Sequence, residues 1–492
     1  MFFLLISFSS GGKVRLFLFN LFLVLNFFVM AHLSYFGTQV LPSGIYLLFT
    51  QVHEISGTLS TEYHHILIPL LFTIFPMLLG GIIYKKVHLG FSHKIITYLI
   101  LIYFSYNPLR TYFTGNNWGR QPTIKELDGM NMYLSMSYFL GRILPGKLMK
   151  KDIVVENEST RLKLISKETS NWDNIIVVLG ESLSPNHLSY FGHHRRTTPF
   201  LETLRNNPQF YGLKGLSSGV SSDISIAFFF NLTYGEPGAF KMAKGEHCLF
   251  KLAKENKFST YFHSVQDIQS LRYTLPYLCS NSLDEFKSFE NISPHRQNSN
   301  QAVDRDLIPS LKEILIKKNA KNFIVLHQRG SHAPWELRFS KESDVFKDQN
   351  TDKRINFYDN SVLEFDLFWK ELHDVLKDSS SKTLVVYLSD HGESLGTDKK
   401  FGHGFLAKTS FEIPMFFLSY NAALPAIVKK FPNYLTQFSF SLFLVSEMGW
   451  KSSLEPSAVL KDYVILGNDI DGFAGKAKIT FDPDHSYVYK IE

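Results

Sequence analysis

Leu16 to Phe36 runs for 21 residues without a charged side chain. As a helix it is long enough to cross about 30 Å of hydrocarbon, and a helix satisfies its own backbone polar groups there. Ile66 to Tyr84 repeats the pattern over 19 residues. Ile95 to Leu109 is uncharged for 15 residues, and it spans when Lys94 and His93 extend to the interface. The first 108 residues carry only seven charged side chains, Lys13, Arg15, Glu54, Glu62, Lys85, Lys86 and Lys94. The chain therefore divides into a greasy N-terminal part with about three spans (1–109) and a polar remainder.

A cleaved leader opens on basic residues ahead of its apolar core, whereas Lys13 and Arg15 follow MFFLLISF. That opening reads as the end of a further span, and the following segments as retained anchors. Lys13 and Arg15 precede the first span, and Lys85, Lys86, His88, His93 and Lys94 fill the turn after the second. The positive-inside rule puts both groups in the cytoplasm and everything after about residue 109 outside it. The connector LPSGIYLLFTQVHEISGTLS sets Thr50, His53 and Glu54 at helical spacing, as in a helix lying in the outer interface.

Residues 110–170 mix aromatic, basic and turn residues and read as a juxtamembrane linker with interfacial helices. From 171 to 492 the pattern is that of one α/β domain. NIIVVLG (174–180), NFIVLH (322–327), TLVVYLS (383–389) and IPMFFLS (413–419) are short apolar, mostly β-branched runs, which suit strands buried on both faces of a mostly parallel sheet. Helical stretches at 198–207, 306–319 and 360–378 separate them, so helices are expected on both faces. Cys248 and Cys279 allow one disulfide or two buried thiols. A net charge of +6 over 492 residues gives no footprint for nucleic acid.

Ligands of open α/β sheets sit beyond the carboxyl ends of strands. There stand Glu181 after NIIVVLG, Asp390-His391-Gly392-Glu393 after TLVVYLS, His332 after NFIVLH, and His403 between two glycines. Carboxylates and imidazoles in that combination suit zinc. In GLSSGVSSDISIAFFFNL a small-residue loop enters an apolar helix near Ser222, where free N–H groups and the helix dipole favour an alkoxide and an incoming phosphate.

VVLGESLSPNHLSYFGHHRRTTPFL, VLHQRGSHAP, YDNSVLEFD, YLSDHGESLG and the later Gly-His-Gly together resemble the membrane-anchored phosphoethanolamine transferases of Gram-negative bacteria, within the alkaline phosphatase and sulfatase superfamily. The resemblance covers nearly the whole chain. It implies an inner-membrane anchor with an alkaline-phosphatase-like α/β/α sandwich in the periplasm. It implies zinc bound by Glu181, Asp390, His391 and the nucleophile, with a second zinc conceivable during turnover. The nucleophile falls at Ser222, with Ser221 one position away. His332 and His403 match histidines that hold the phosphoryl group or a second zinc, and Thr50 and Glu54 match, more loosely, residues beside the lipid substrate. Phosphatidylethanolamine is then the donor and lipopolysaccharide core, lipid A or a periplasmic glucan the acceptor, by way of a phospho-serine intermediate.

The chain departs from the family in three places. Serine stands where the family usually has threonine, Ser218 and Phe228 replace cysteines that brace the loop in lipid A enzymes, and about two of five usual spans are missing ahead of Leu16. Cysteine poverty and the Gly-Glu-Ser motif resemble the branches acting on lipopolysaccharide core or glucans. The alternatives are a phosphoglycerol transferase or lipid phosphodiesterase of the same superfamily, or an inactive envelope-binding homologue. Sulfate ester hydrolysis is disfavoured, because its formylglycine signature needs x-Pro-x-Arg and Ser222 precedes Asp-Ile-Ser-Ile.

Overall fold

The computed structural model describes residues 12–36, 40, 42, 44–45, 63–86, 94–114, 129–149 and 162–491, except 236–241, 273, 297–301, 318–320, 398–399, 459, 461–462, 471–474 and 483–485. Thr50, His53, Glu54 and the opening MFFLLISF lie outside the described residues. Two compact units emerge, divided between Ile153 and Val154.

In the first unit the helices are α1 (Gly12–Phe36), α2 (His64–Lys86) and α3 (Lys94–Thr114). Among the described residues, Leu16–Tyr35 and His65–Ile82 are long and apolar enough to cross a membrane, by length and composition. α3 is helical for 21 residues, past the expected end at 109, and carries Lys94, Pro108 and Arg110. α1 and α2 approach closely: a Cβ on Gly80 would lie 2.7 Å from the Phe19 ring, and Ser34 Oγ sits 3.0 Å from His65 Nδ1.

The second unit is built on an eight-stranded sheet. Its strands are β1 (Asn174–Gly180), β2 (Phe210–Leu216), β3 (Ser259–Ser264), β4 (Glu285–Lys287), β5 (Asn322–His327), β6 (Thr383–Ser389), β7 (Glu412–Tyr420) and β8 (Tyr434–Thr436). Their spatial order is β8-β2-β7-β6-β1-β5-β3-β4. Pairings are parallel from β6 through β1, β5 and β3 to β4, and between β8 and β2. β7 runs antiparallel to both neighbours. Every residue of β1, β5, β6 and β7 is buried, as their unbroken apolar runs require when both sheet faces are covered.

Among the helices that frame the sheet are α4 (Ser222–Phe230), α5 (Lys353–Leu376) and α6 (Gln437–Glu447). Strand alternation divides the core between two faces. Phe416 and Tyr387 pack against Trp369 of α5, and Phe365 of the same helix packs against Tyr387. The next residue, Phe417, faces the opposite way and meets Phe440 and Phe443 of α6. Phe229 of α4 joins Phe440 there. The expected helix at 360–378 begins earlier, at Lys353, where the Asp352 side chain accepts the Arg354 N–H as a cap. A three-stranded antiparallel sheet (Tyr463–Leu466, Lys476–Phe481, Tyr487–Ile491) follows. Cys248 and Cys279 are joined in a disulfide.

Candidate active site and metal centre

Four parallel strands deliver the site at their carboxyl ends. Glu181 leaves β1, Asp390 and His391 leave β6, the 328–332 loop leaves β5, and Gln266 follows β3. At Ser182, directly after Glu181, the backbone has φ 56°, a conformation that costs a non-glycine residue about 1–3 kcal/mol. It is held there from three sides. Its N–H donates to Asp390 Oδ1 at 3.0 Å, its Oγ donates to Glu181 Oε1 at 3.0 Å, and its carbonyl accepts Tyr358 OH at 2.8 Å. Gly330, at φ 55°, lets the β5 loop close over this corner: a Cβ there would lie 2.4 Å from Glu181 O.

Ser222 opens α4, with Ser221 as its cap residue in extended conformation. Ser222 Oγ lies 3.0 and 3.1 Å from the two Glu181 oxygens and 3.3 Å from His391 Nε2. Ser221 Oγ is turned the other way and donates to Asp223 Oδ1 at 2.8 Å. His391 Nδ1 sits 2.9 Å from Gly392 O, which fixes a proton on that nitrogen and aims Nε2 at the carboxylates. Nε2 lies 3.2 Å from Glu181 Oε1 and 3.5 Å from Asp390 Oδ2. Asp390 Oδ2 is buried with no hydrogen-bond partner. Glu181, Asp390 and His391 thus converge three buried ligand atoms within 4.8 Å of one another.

The electrostatics of this corner fit a cation. Burial and then the Glu181 charge push Asp390 up to about 8. Burial opposes the positive form of His391, but Asp390 and Glu181 outweigh it and carry His391 up to about 10. Burial likewise opposes ionisation of Glu181, yet the His391 hydrogen bond and the charges of His391, His332 and His403 hold it well below its ordinary range. Without a metal, protons are retained to balance the crowded carboxylates; a divalent ion would displace them and take up the unpartnered Asp390 oxygen. With one imidazole nitrogen, two carboxylates and an adjacent hydroxyl, the donor set matches zinc.

His403 stands beside this group, its ring centroid 4.1 Å from that of His391 and 5.8 Å from that of His332. His332 Nδ1 lies 2.5 Å from Ala333 O. Glu181, Ser222, His332, Asp390, His391 and His403 are therefore gathered at one strand-end locus, while Thr50 and Glu54 fall outside the described residues. Sequence reasoning missed the role of Glu393, whose Oε2 lies 2.9 Å from His403 Nδ1. Its only signal was membership of the Asp-His-Gly-Glu run. Burial pushes Glu393 up to about 8. Gln266 was also missed; its Nε2 lies 3.4 Å from Glu181 Oε2. In the loop ahead of α4, Ser218 N–H donates to Gln437 Oε1 at 2.9 Å and Ser218 Oγ pairs with Tyr463 OH at 2.9 Å.

The model of the family described as Sulfatase matches residues 173–442. The chain belongs to that family. Among curated proteins it is similar to the Kdo(2)-lipid A phosphoethanolamine 7''-transferase of Salmonella typhimurium, 24% identical over 273 residues, covering 53% of this chain and 46% of that protein. It is also similar to phosphoethanolamine transferase EptA of Helicobacter pylori, 23% identical over 406 residues, covering 79% and 72%. The matched stretch spans about half the length of the Salmonella relative. Among solved structures, the integral membrane protein lipooligosaccharide phosphoethanolamine transferase A from Neisseria meningitidis shares the fold with a TM-score of 0.61 at 16% identity, over 89% of this chain and 88% of that one. The C-terminal periplasmic domain of EcEptC from Escherichia coli, solved in complex with Zn, matches with a TM-score of 0.52 at 18% identity, over 63% of this chain and 93% of that one. The sandwich of a mostly parallel sheet between helices is thus the fold of this sulfatase-family domain.

Proposed function

We propose that this chain is a zinc-dependent phosphoethanolamine transferase, moving the group from phosphatidylethanolamine to an envelope glycan or glycolipid. The observation that carries the reading is Ser222 Oγ at the head of α4, within 3.1 Å of both Glu181 oxygens and 3.3 Å of His391 Nε2. The names of the relatives supply the transferred group, and the two long apolar helices suit an anchor in the membrane that holds the donor. The sandwich would then lie on the periplasmic face of the inner membrane. Lipopolysaccharide core, lipid A and periplasmic glucan remain the acceptor classes.

Glu181, Asp390, His391 and Ser222 Oγ would hold zinc, which supplies a lowered hydroxyl pKa and a counter-charge for the phosphate. Ser222 Oγ forms a bond to phosphorus as the bond to the diacylglycerol oxygen breaks, leaving phosphoethanolamine on the serine. The departing oxygen takes a proton from a neighbouring imidazole, and His403, oriented by Glu393, is placed for that duty. His332, His403 and the α4 N–H groups face the equatorial oxygens as charge accumulates. An acceptor hydroxyl or phosphate then attacks the same phosphorus, returning Ser222 to its free form.

The test is diacylglycerol release from labelled phosphatidylethanolamine in detergent, with peptide mass mapping. Wild type should release diacylglycerol and carry phosphoethanolamine on the Ser222 peptide; Ser222→Ala and chelator-treated protein should do neither, and Ser221→Ala should retain release. A folded, zinc-loaded wild type that acts on phosphatidylglycerol instead would replace this reading with phosphoglycerol transfer.

A further inference from the structure

The histidines of NHLSYFGHH have no part in the transfer described above, yet two of them converge on one carboxylate. His187 Nδ1 lies 2.7 Å from Asp359 Oδ1, and His193 Nε2 lies 3.4 Å from Asp359 Oδ2. The two imidazoles have centroids 4.8 Å apart. The three ligand atoms lie within 4.8 Å of one another, and none of these residues belongs to the Glu181–Asp390–His391 group. Asp359 is fully buried, while His187 keeps 16% and His193 7% of its side chain exposed, so the group is rigid at its base and open at its rim.

We propose that His187, His193 and Asp359 form a second divalent-cation site, selective for zinc-like ions and separate from the catalytic group. Two imidazole nitrogens and one carboxylate oxygen leave a fourth position for water in a tetrahedral arrangement. Arg195 Nη1 donates to Asp359 Oδ2 at 2.8 Å, and its Nη2 donates to Thr351 Oγ1 at 3.2 Å. A carboxylate accepts about four hydrogen bonds, so Arg195 orients Asp359 from one oxygen and leaves Oδ1 for the ion. The ion would replace the hydrogen-bonded proton between His187 Nδ1 and Asp359 Oδ1.

The surroundings are built to hold the two histidines in register. Gly192, at φ 99°, turns the chain between them, and Thr197 Oγ1 donates to His187 O at 2.6 Å. Asp359 is followed back along α5 by Tyr358, whose hydroxyl donates to Ser182 O and accepts the Ser184 N–H at 2.7 Å. A cation here would staple the segment that begins at Glu181 to α5, giving it a structural role.

The experiment is metal analysis of the full chain in detergent, after zinc loading and dialysis. Glu181→Gln/Asp390→Asn takes both carboxylates from the catalytic group and should still retain one zinc per chain; adding His187→Gln/His193→Gln should remove it. Cobalt loading provides a second readout, since the Glu181→Gln/Asp390→Asn protein should show the visible bands of tetrahedral cobalt and the quadruple variant should lack them. Asp359 is kept in every variant because it also anchors Arg195, and near-ultraviolet circular dichroism verifies folding. A folded Glu181→Gln/Asp390→Asn protein that holds neither zinc nor cobalt overturns the proposal, leaving the group as an ion-paired knot. Retention of that zinc in the quadruple variant overturns it equally.

Discussion

Glu393 bears on the site through His403. Its carboxyl group fixes the His403 ring by a 2.9 Å contact, so exchanging it for an amide should disturb proton delivery while leaving the Glu181–Asp390–His391 ligands in place. Glu393→Gln is expected to lower transfer turnover about tenfold to a hundredfold with zinc content unchanged, and to flatten the acid limb of the pH–rate profile; loss of zinc together with activity would instead make it a ligand. Away from the site, His263 is buried with its Nδ1 2.6 Å from Ser310 Oγ. Burial pushes it down to about 4 even though the Glu285 charge opposes that shift. The folded state therefore declines a proton that the unfolded chain accepts below about 6.5, so stability is lost as pH falls from there toward 4, by an amount on the order of 2–3 kcal/mol. Urea unfolding of metal-free protein at pH 7 and pH 4.5 should show this loss in wild type and a smaller one in His263→Gln. Glu181, Asp390 and His391 were legible because each follows an apolar run at its carboxyl end, and Ser222 because a small-residue loop there enters an apolar helix. Glu393 and Gln266 were not, since their roles depend on where the side chains point across the strand ends.

At the level of elements, the central strands were legible for a simple reason: runs such as NIIVVLG are too apolar to face water on either side. Strand direction was a different matter. An unbroken apolar run carries no polarity of its own, and IPMFFLS reads the same in either sense. β7 is antiparallel because the ligands Asp390 and His391 stand at the carboxyl end of β6 and the chain re-enters the sheet from that end. The early start of α5 was also hidden, as its first turns are polar and only the Asp352 cap marks them. β7 carries much of the packing. Phe417 is fully buried and meets Phe431, Phe440 and Phe443 at centroid distances of 5.2–5.5 Å. Phe417→Ala should cost about 3–5 kcal/mol, measurable by denaturant unfolding, whereas Ile165→Ala on an exposed edge should change stability by less than about 0.5 kcal/mol.

On the scale of the molecule, one covalent link and one sheet order set how the second unit holds together. The Cys248–Cys279 bond closes a 31-residue separation, for which chain entropy gives about 3–4 kcal/mol of stabilisation. Cys248→Ala/Cys279→Ala should lower the urea midpoint accordingly, with zinc binding by the folded protein retained. The spacing of the cysteines left both a bond and free thiols open; the turn at Cys279, which brings the two side chains together beside Gly245, decides between them.

β1 and β6 lie side by side at the heart of the sheet, yet Asn174 and Thr383, partners in one register, are 209 residues apart. A nascent chain emerging from its N-terminus completes β1 early and then waits for most of the remaining polypeptide before that strand acquires its neighbour on that side. The half-made domain is consequently a long-lived, sticky species, exposed to proteases and self-association for as long as synthesis takes. Ser222 too has been made by then, yet Asp390 and His391 are among the later residues to appear, so a working nucleophile is assembled only when the sheet itself closes.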